Sequence, residues 1–171
     1  GLDVLPKFTE IAAEKGYSFF FLGATDGVGK KLSEVLKNKY PLLKVVGIYS
    51  PPFAEKFSVE ENAKMIQMIN EANPDVLWVS LTAPKQDFWI HEHFDTLNAK
   101  IFIGVGAAFE VTAGLIPRAP RWMQTFGLEW FFRFIKEPSR LFRRYILEAP
   151  MFIPLVILQF LGFHKYNSEK K

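Results

Sequence analysis

Three stretches of this chain have residue types and spacings suited to handling a phosphorylated ligand. Gly23-Ala24-Thr25-Asp26-Gly27-Val28-Gly29 precedes a helical pattern. Backbone amides at such a helix start, with the helix dipole behind them, favour a phosphate. The spacing is neither a clean GxGxxG nor a GKS/T phosphate loop, so a plain strand-to-helix turn is an equal reading. Thr82-Ala83-Pro84-Lys85-Gln86-Asp87 offers an amide at Gln86 that both donates and accepts, which suits a sugar or a base. Pro84 suits the first turn of a helix and Thr82 a cap, so helix capping alone also accounts for these residues. As a polar loop residue, Gln86 is expected to add little to the core. The third stretch carries Arg133, Arg140, Arg143 and Arg144. The last three are spaced to share one helical face, and guanidinium groups clamp phosphate oxygens in bidentate fashion. A solvated basic face is the alternative. Against it stand the neighbours Trp130, Phe131, Phe132, Phe134 and Phe142, which together with the arginines suit a membrane surface or an anionic lipid.

Other chemistries fail on spacing or composition. Tyr40 and Lys44 have the YxxxK spacing of short-chain dehydrogenases, but Pro41 drives Tyr40 out of a helix. His91 and His93 are two apart and His164 is remote, which argues against a metal site. The chain has no cysteine, hence no disulfide, no thiol nucleophile and no cysteine metal site. A reducing compartment is the natural reading. A net charge of +3 is too weak to argue for nucleic acid. No metal and no cofactor is expected.

The elements that must carry these residues are legible from periodicity. Leu2 to Lys15 repeats at helical spacing and stops at Gly16. Tyr17–Leu22, Val45–Tyr49, Val76–Leu81 and Ile101–Val105 are short, nearly continuous apolar runs. Helical segments run to about Tyr40, over Val59–Ala72, and to about His93. Ser58 with Glu61 gives the second of them a capping-box start. Such strands separated by helices predict an α/β, Rossmann-like parallel sheet of at least four strands with helices on both faces. Ligands of such sheets bind at the carboxyl ends of the strands. The turns beginning at Gly23, Ser50, Thr82 and Gly106 all fall there.

With 171 residues and 49% hydrophobic content the chain has material for a real core. Its composition shifts after residue 116, giving a core over 1–116 and a helical appendage over 117–171. Between Pro117 and Tyr145 there are six Arg and one Lys against two Glu, a local charge of +5. Met151 to Phe163 is apolar but only 13 residues long, with Pro154 and Gly162 inside it, too short to cross a bilayer of about 30 Å. It is expected to lie in the headgroup boundary of an anionic membrane. Core packing or a homo-oligomer seam would also bury it. Gly1-Leu2-Asp3 lacks the basic start of a signal peptide.

At FLGATDGVG (Phe21 to Gly29), Tyr40-Pro41, Pro51-Pro52-Phe53 and NPDVLWVSLTAPKQDFWI (Asn73 to Ile90), the chain resembles the WecG/TagA/CpsF glycosyltransferases of bacterial cell-surface polymer synthesis. The likeness continues through IGVGAAFEVTAGLIPRAPRWM (Ile103 to Met123) and GLEWFFRFIKEPSRLFRRY (Gly127 to Tyr145). It implies inverting transfer of an N-acetylhexosamine, typically N-acetylmannosamine, from a UDP-sugar. The implied acceptor is N-acetylglucosamine on undecaprenyl diphosphate, reached from the cytoplasmic face of the inner membrane by a peripherally attached enzyme. Residue by residue, Gln86 matches the family's active-site glutamine, and Arg133, Arg140 and Arg143 match the appendage arginines that complete the site over the lipid diphosphate. Gly23, Ala24, Phe53, Thr82, Pro84, Gly106, Phe109 and Glu110 are expected to line the nucleotide-sugar site, with Glu110 standing where the family has Asp. Family members carry roughly a further half-domain before the equivalent of Leu2. It holds a Thr-Pro-Asn element and the Asp proposed as general base, which nothing in this chain matches. A relative that binds nucleotide or lipid diphosphate without catalysis is therefore the second reading. A nicotinamide-dependent oxidoreductase is disfavoured, since both its fingerprint and its Tyr/Lys pair fail.

Overall fold

A computed structural model of the chain describes residues 2–136, 138–142 and 149–160. It divides into two compact units, Gly1–Pro117 and Arg118–Lys171.

The first unit alternates helices and strands. They are α1 (Val4–Lys15), β1 (Ser18–Gly23), α2 (Val28–Lys39), β2 (Lys44–Tyr49), α3 (Val59–Ala72), β3 (Val76–Ser80), α4 (Lys85–His93), β4 (Ile101–Gly104) and α5 (Ala108–Thr112). The strands form one parallel sheet in the order β2-β1-β3-β4. Successive strand residues face opposite ways, so the aromatic run of β1 supplies both faces of the sheet at once. Phe19 and Phe21, with Val76 and Trp78 of β3, pack against α1, α2 and α5. Phe20 and Leu22, with Leu77 and Val79, pack against α3 and α4. Burying each such side chain stabilises by about 1.5–3 kcal/mol, which is why the two central strands are apolar between Phe19 and Leu22 and between Val76 and Val79.

Local signals set the element ends. Gly16 adopts φ +73° and terminates α1, with the Tyr17 amide donating to the Ala12 carbonyl. Ser58 caps α3 by accepting from the Glu61 amide at 3.1 Å. The capping box is only half formed, because the Glu61 carboxylate instead accepts from the Tyr49 hydroxyl at 2.7 Å and ties α3 to β2. At the amino end of the sheet the Asp75 carboxylate takes the Lys100 ammonium (2.7 Å), the Ser18 amide (2.8 Å) and the Ser18 hydroxyl (2.9 Å). The Lys100 bond, then the two from Ser18, hold its pKa down at about 2.

The second unit is helical where described: α6 (Arg121–Thr125), α7 (Glu129–Lys136), α8 (Pro138–Phe142) and α9 (Ala149–Phe160). The Arg118 guanidinium meets Glu129 at 3.0 Å, and the Gln124 amide donates to the Ala119 carbonyl at 2.6 Å. Trp122, Phe126, Trp130 and Phe131 remain exposed, as do Ile153, Val156, Ile157, Leu158 and Phe160 along α9. At 12 residues α9 is about 18 Å long. Among the described residues no helix is long and apolar enough to cross a membrane.

Candidate functional site

The strand order creates a switch point between β1 and β3. The chain leaves β1 through α2 towards β2 on one side, and leaves β3 through α4 towards β4 on the other. The connections diverge there, and in sheets of this kind the crevice that takes ligands lies at the carboxyl ends of the two flanking strands.

Backbone geometry at this crevice is unusual. Gly23 has φ +106°, and a Cβ on it would lie 2.6 Å from the Ser80 carbonyl carbon, so no side chain fits. The close approach lets the Ala24 amide donate to the Ser80 carbonyl at 2.8 Å. Ala24 (φ +59°) and Thr82 (φ +66°) both hold the left-handed conformation that costs a non-glycine residue about 1–2 kcal/mol. The third such residue among those described, Asn73, ends α3, where asparagine is an ordinary cap. Strain without a capping purpose is thus concentrated at the two strand ends that flank the crevice.

Polar side chains tie the four strand ends together. The Ser50 hydroxyl, after β2, donates to the Gly23 carbonyl at 3.2 Å. The Ser80 hydroxyl donates to the Gly106 carbonyl at 2.7 Å. The Gly106 amide, in a loop with φ +52°, donates to Gln86 Oε1 at 2.9 Å. That bond orients the Gln86 amide and turns Nε2 towards Gly104, where a Cβ would come within 2.8 Å of it. Gln86 is therefore not a loop residue of small structural weight. It is the second residue of α4 and only 6% exposed. Thr82 likewise differs from the expected cap. Pro84 occupies the cap position without a side-chain bond, while the Thr82 hydroxyl donates to the adjacent Leu81 carbonyl. The Ala83–Pro84 peptide is cis.

The site residues expected from sequence fall into three groups. Gly23, Ala24, Thr82, Pro84, Gln86 and Gly106 all fall at the carboxyl edge of the sheet, and the bonds above join Gly23 to Ser50, Ala24 to Ser80, and Gly106 to Ser80 and Gln86. Phe53 stands fully exposed in the segment after β2, at the same edge. Phe109 lies elsewhere: its ring is fully buried and meets Phe21 edge-on at 5.3 Å, so it packs α5 onto β1 and presents no ring to a ligand. Its neighbour Glu110 is partly buried on α5, and its carbonyl accepts from the Leu115 and Ile116 amides. The arginines belong to the second unit. Arg133 is half-buried on α7 and Arg140 lies on α8, while Arg143 and Arg144 fall outside the described residues. Among the described residues no three His, Asp or Glu side chains group as metal ligands. Sequence reasoning missed Ser50 and Ser80. A serine closing an otherwise apolar strand (VLWVS) was the available signal for Ser80.

Comparison with known proteins identifies the family. The model of the glycosyl transferase WecG/TagA/CpsF family matches residues 1–166. An N-acetylglucosaminyldiphosphoundecaprenol N-acetyl-beta-D-mannosaminyltransferase of Bacillus subtilis (strain 168) is 34% identical over 140 residues, covering 82% of this chain and 52% of the relative. The proteins of the same name from Bacillus spizizenii and Staphylococcus aureus (strain MRSA252) are 29% and 28% identical, over 92% and 90% of this chain and 58% and 57% of theirs. The chain thus spans just over half the length of the curated relatives it matches. With the family model covering nearly all of it, the chain belongs to the WecG/TagA/CpsF family of glycosyl transferases.

Proposed function

We propose that this chain forms the nucleotide-sugar half of an inverting glycosyltransferase. The enzyme would move an N-acetylhexosamine, N-acetylmannosamine or a close analogue, from a UDP-sugar to an undecaprenyl-diphosphate-linked N-acetylglucosamine. The observation that carries the reading is the setting of Gln86. The residue that matches the family's active-site glutamine is locked by the Gly106 amide beside a strained switch-point crevice. The relatives' names support the acceptor and the sugar.

In this reading the donor's UDP lies across the carboxyl ends of β1 and β3. Amides of the Gly23–Gly29 loop face its phosphates at the start of α2. The Gln86 amide is held ready for a sugar hydroxyl or carbonyl. The acceptor hydroxyl attacks the anomeric carbon, the bond to the UDP oxygen breaks, and the hydroxyl proton passes to a general base. No residue of this chain is assigned that base. Arg133, Arg140 and Arg143 would bind the acceptor's diphosphate, and α9 with its exposed apolar side chains would rest on the cytoplasmic leaflet of the inner membrane.

Thermal melting with and without ligand tests the donor assignment. UDP at 100 times its Kd stabilises a specific binder by about 2.7 kcal/mol, and NADH is expected to give no shift. A shift with NADH and none with UDP would reverse the assignment.

A further inference from the structure

Lys85 has no part in the site as built so far, yet it spans two of its segments. It is the first residue of α4 and precedes Gln86. Its side chain crosses to the stretch after β2. There Nζ donates to the Ala54 carbonyl at 2.5 Å and sits 3.4 Å from the centre of the Phe57 ring. A cation over an aromatic face is attracted by the ring quadrupole, and the carbonyl takes one of its three protons. Burial lowers the Lys85 pKa. The receiving stretch, Ser50 to Phe57, has no helix or strand of its own. Ser50 pins its start to the Gly23 carbonyl and Lys85 grips its middle. Phe53 lies one residue before the gripped carbonyl, and its ring is fully exposed. A bare aromatic ring beside a ligand edge is a stacking platform, but only if the backbone beneath it is held.

We propose that Lys85 is a positioning residue: by gripping Ala54 and Phe57 it holds the Phe53 ring in place at the ligand edge, where the ring stacks on the nucleobase of the donor. The stacking half rests on the donor reading above, whereas the grip itself does not. Because Lys85 and Gln86 are adjacent on one helix, the grip also sets the nucleobase end of the site in register with the sugar end.

The grip is read by backbone 15N order parameters of this chain, comparing wild type with Lys85→Met, which keeps the stem and removes the charge. Over residues 53–57 they should fall from the rigid range of about 0.85 to below about 0.6, while β1 is unchanged. Lys85→Arg should restore most of the order. Phe57→Leu, which leaves Lys85 intact, should loosen the same stretch and serves if Lys85→Met does not fold. Unchanged order parameters over 53–57 in both Lys85→Met and Phe57→Leu overturn the grip. UDP titration reads the stacking. Phe53→Ala and Lys85→Met should each weaken UDP binding several-fold, and the double variant should bind no worse than Phe53→Ala alone, since the lysine acts through the ring. Losses that simply add overturn that coupling. If wild type does not bind UDP, the donor reading and the stacking role fall together, and the order parameters still decide the grip.

Discussion

Replacing Gln86 separates its structural weight from its ligand chemistry. In Gln86→Ala the Gly106 amide loses its acceptor in a partly buried setting, where an unpartnered backbone N–H costs about 1–3 kcal/mol. The lost Cγ methylene adds about 0.8 kcal/mol. Together these give about 3 kcal/mol, a fall in Tm of about 6–12 °C for a chain of this size. Gln86→Glu should behave differently. A carboxyl oxygen accepts from the same Gly106 amide, but ionising a group only 6% exposed costs more than the first turn of α4 returns, about 0.3–1 kcal/mol. At about pH 4, with the carboxyl protonated and close in shape to the amide, its Tm should fall by less than half as much, and the deficit should grow as pH rises through the ionisation. Once ionised, Glu cannot donate from that side chain, and it brings a negative charge towards a phosphorylated ligand. Both variants should thus lose stabilisation by UDP at neutral pH. Differential scanning calorimetry at the two pH values, with and without UDP, separates the two effects. A Gln86→Ala variant melting within about 1 °C of wild type would refute the structural half of this reasoning. Equal destabilisation by Ala and Glu at about pH 4 would refute the assigned bond.

Gly23→Ala should cost about 2–3 kcal/mol in urea unfolding, because the methyl meets the Ser80 carbonyl and the backbone stays left-handed; a loss under about 0.5 kcal/mol would mean the β1–β3 approach is looser than described. Asp75 should shape the acid limb of stability. Its pKa of about 2 lies below the ordinary carboxylate value, so its contribution is full above about pH 4 and is lost as pH falls towards 2. The pair with Lys100 is partly solvent-exposed, which limits the contribution to about 1–2 kcal/mol, and Asp75→Asn should flatten the stability profile over that interval. Removing residues 146–171 should release the protein from anionic vesicles in a co-sedimentation assay, since the exposed face of α9 goes with them; equal binding with and without the tail would sink the membrane role.

Much of the fold could be read along the chain because its signals are local. The run SFFFL reads as a buried strand, Gly16 as a stop and Ser58 as a cap, each from a handful of adjacent residues, and each lies in the structure within a residue or two of its expected place. Half of the Ser58 capping box was misread because Glu61 had a competing partner, the Tyr49 hydroxyl, 12 residues away. The Phe109 ring is a similar case. A phenylalanine in a glycine-rich loop motif reads equally as ligand wall or core plug, and only its packing on Phe21 of β1 decides between them. Gln86 read as a polar loop residue, because nothing nearby in sequence announces the Gly106 amide that meets it 20 residues later.

The sequence by itself determined the element types, the parallel α/β class and the family, since periodicity, caps and motifs are properties of neighbouring residues. The tertiary structure alone decided the order β2-β1-β3-β4, and with it the pair of strands that opens the crevice. It also decided which side chains tie the strand ends together. Ser50 to Gly23, Ser80 to Gly106 and Lys85 to Ala54 join residues 26 to 31 positions apart. Such contacts exist only after the sheet has brought its carboxyl ends together, so no local pattern encodes them.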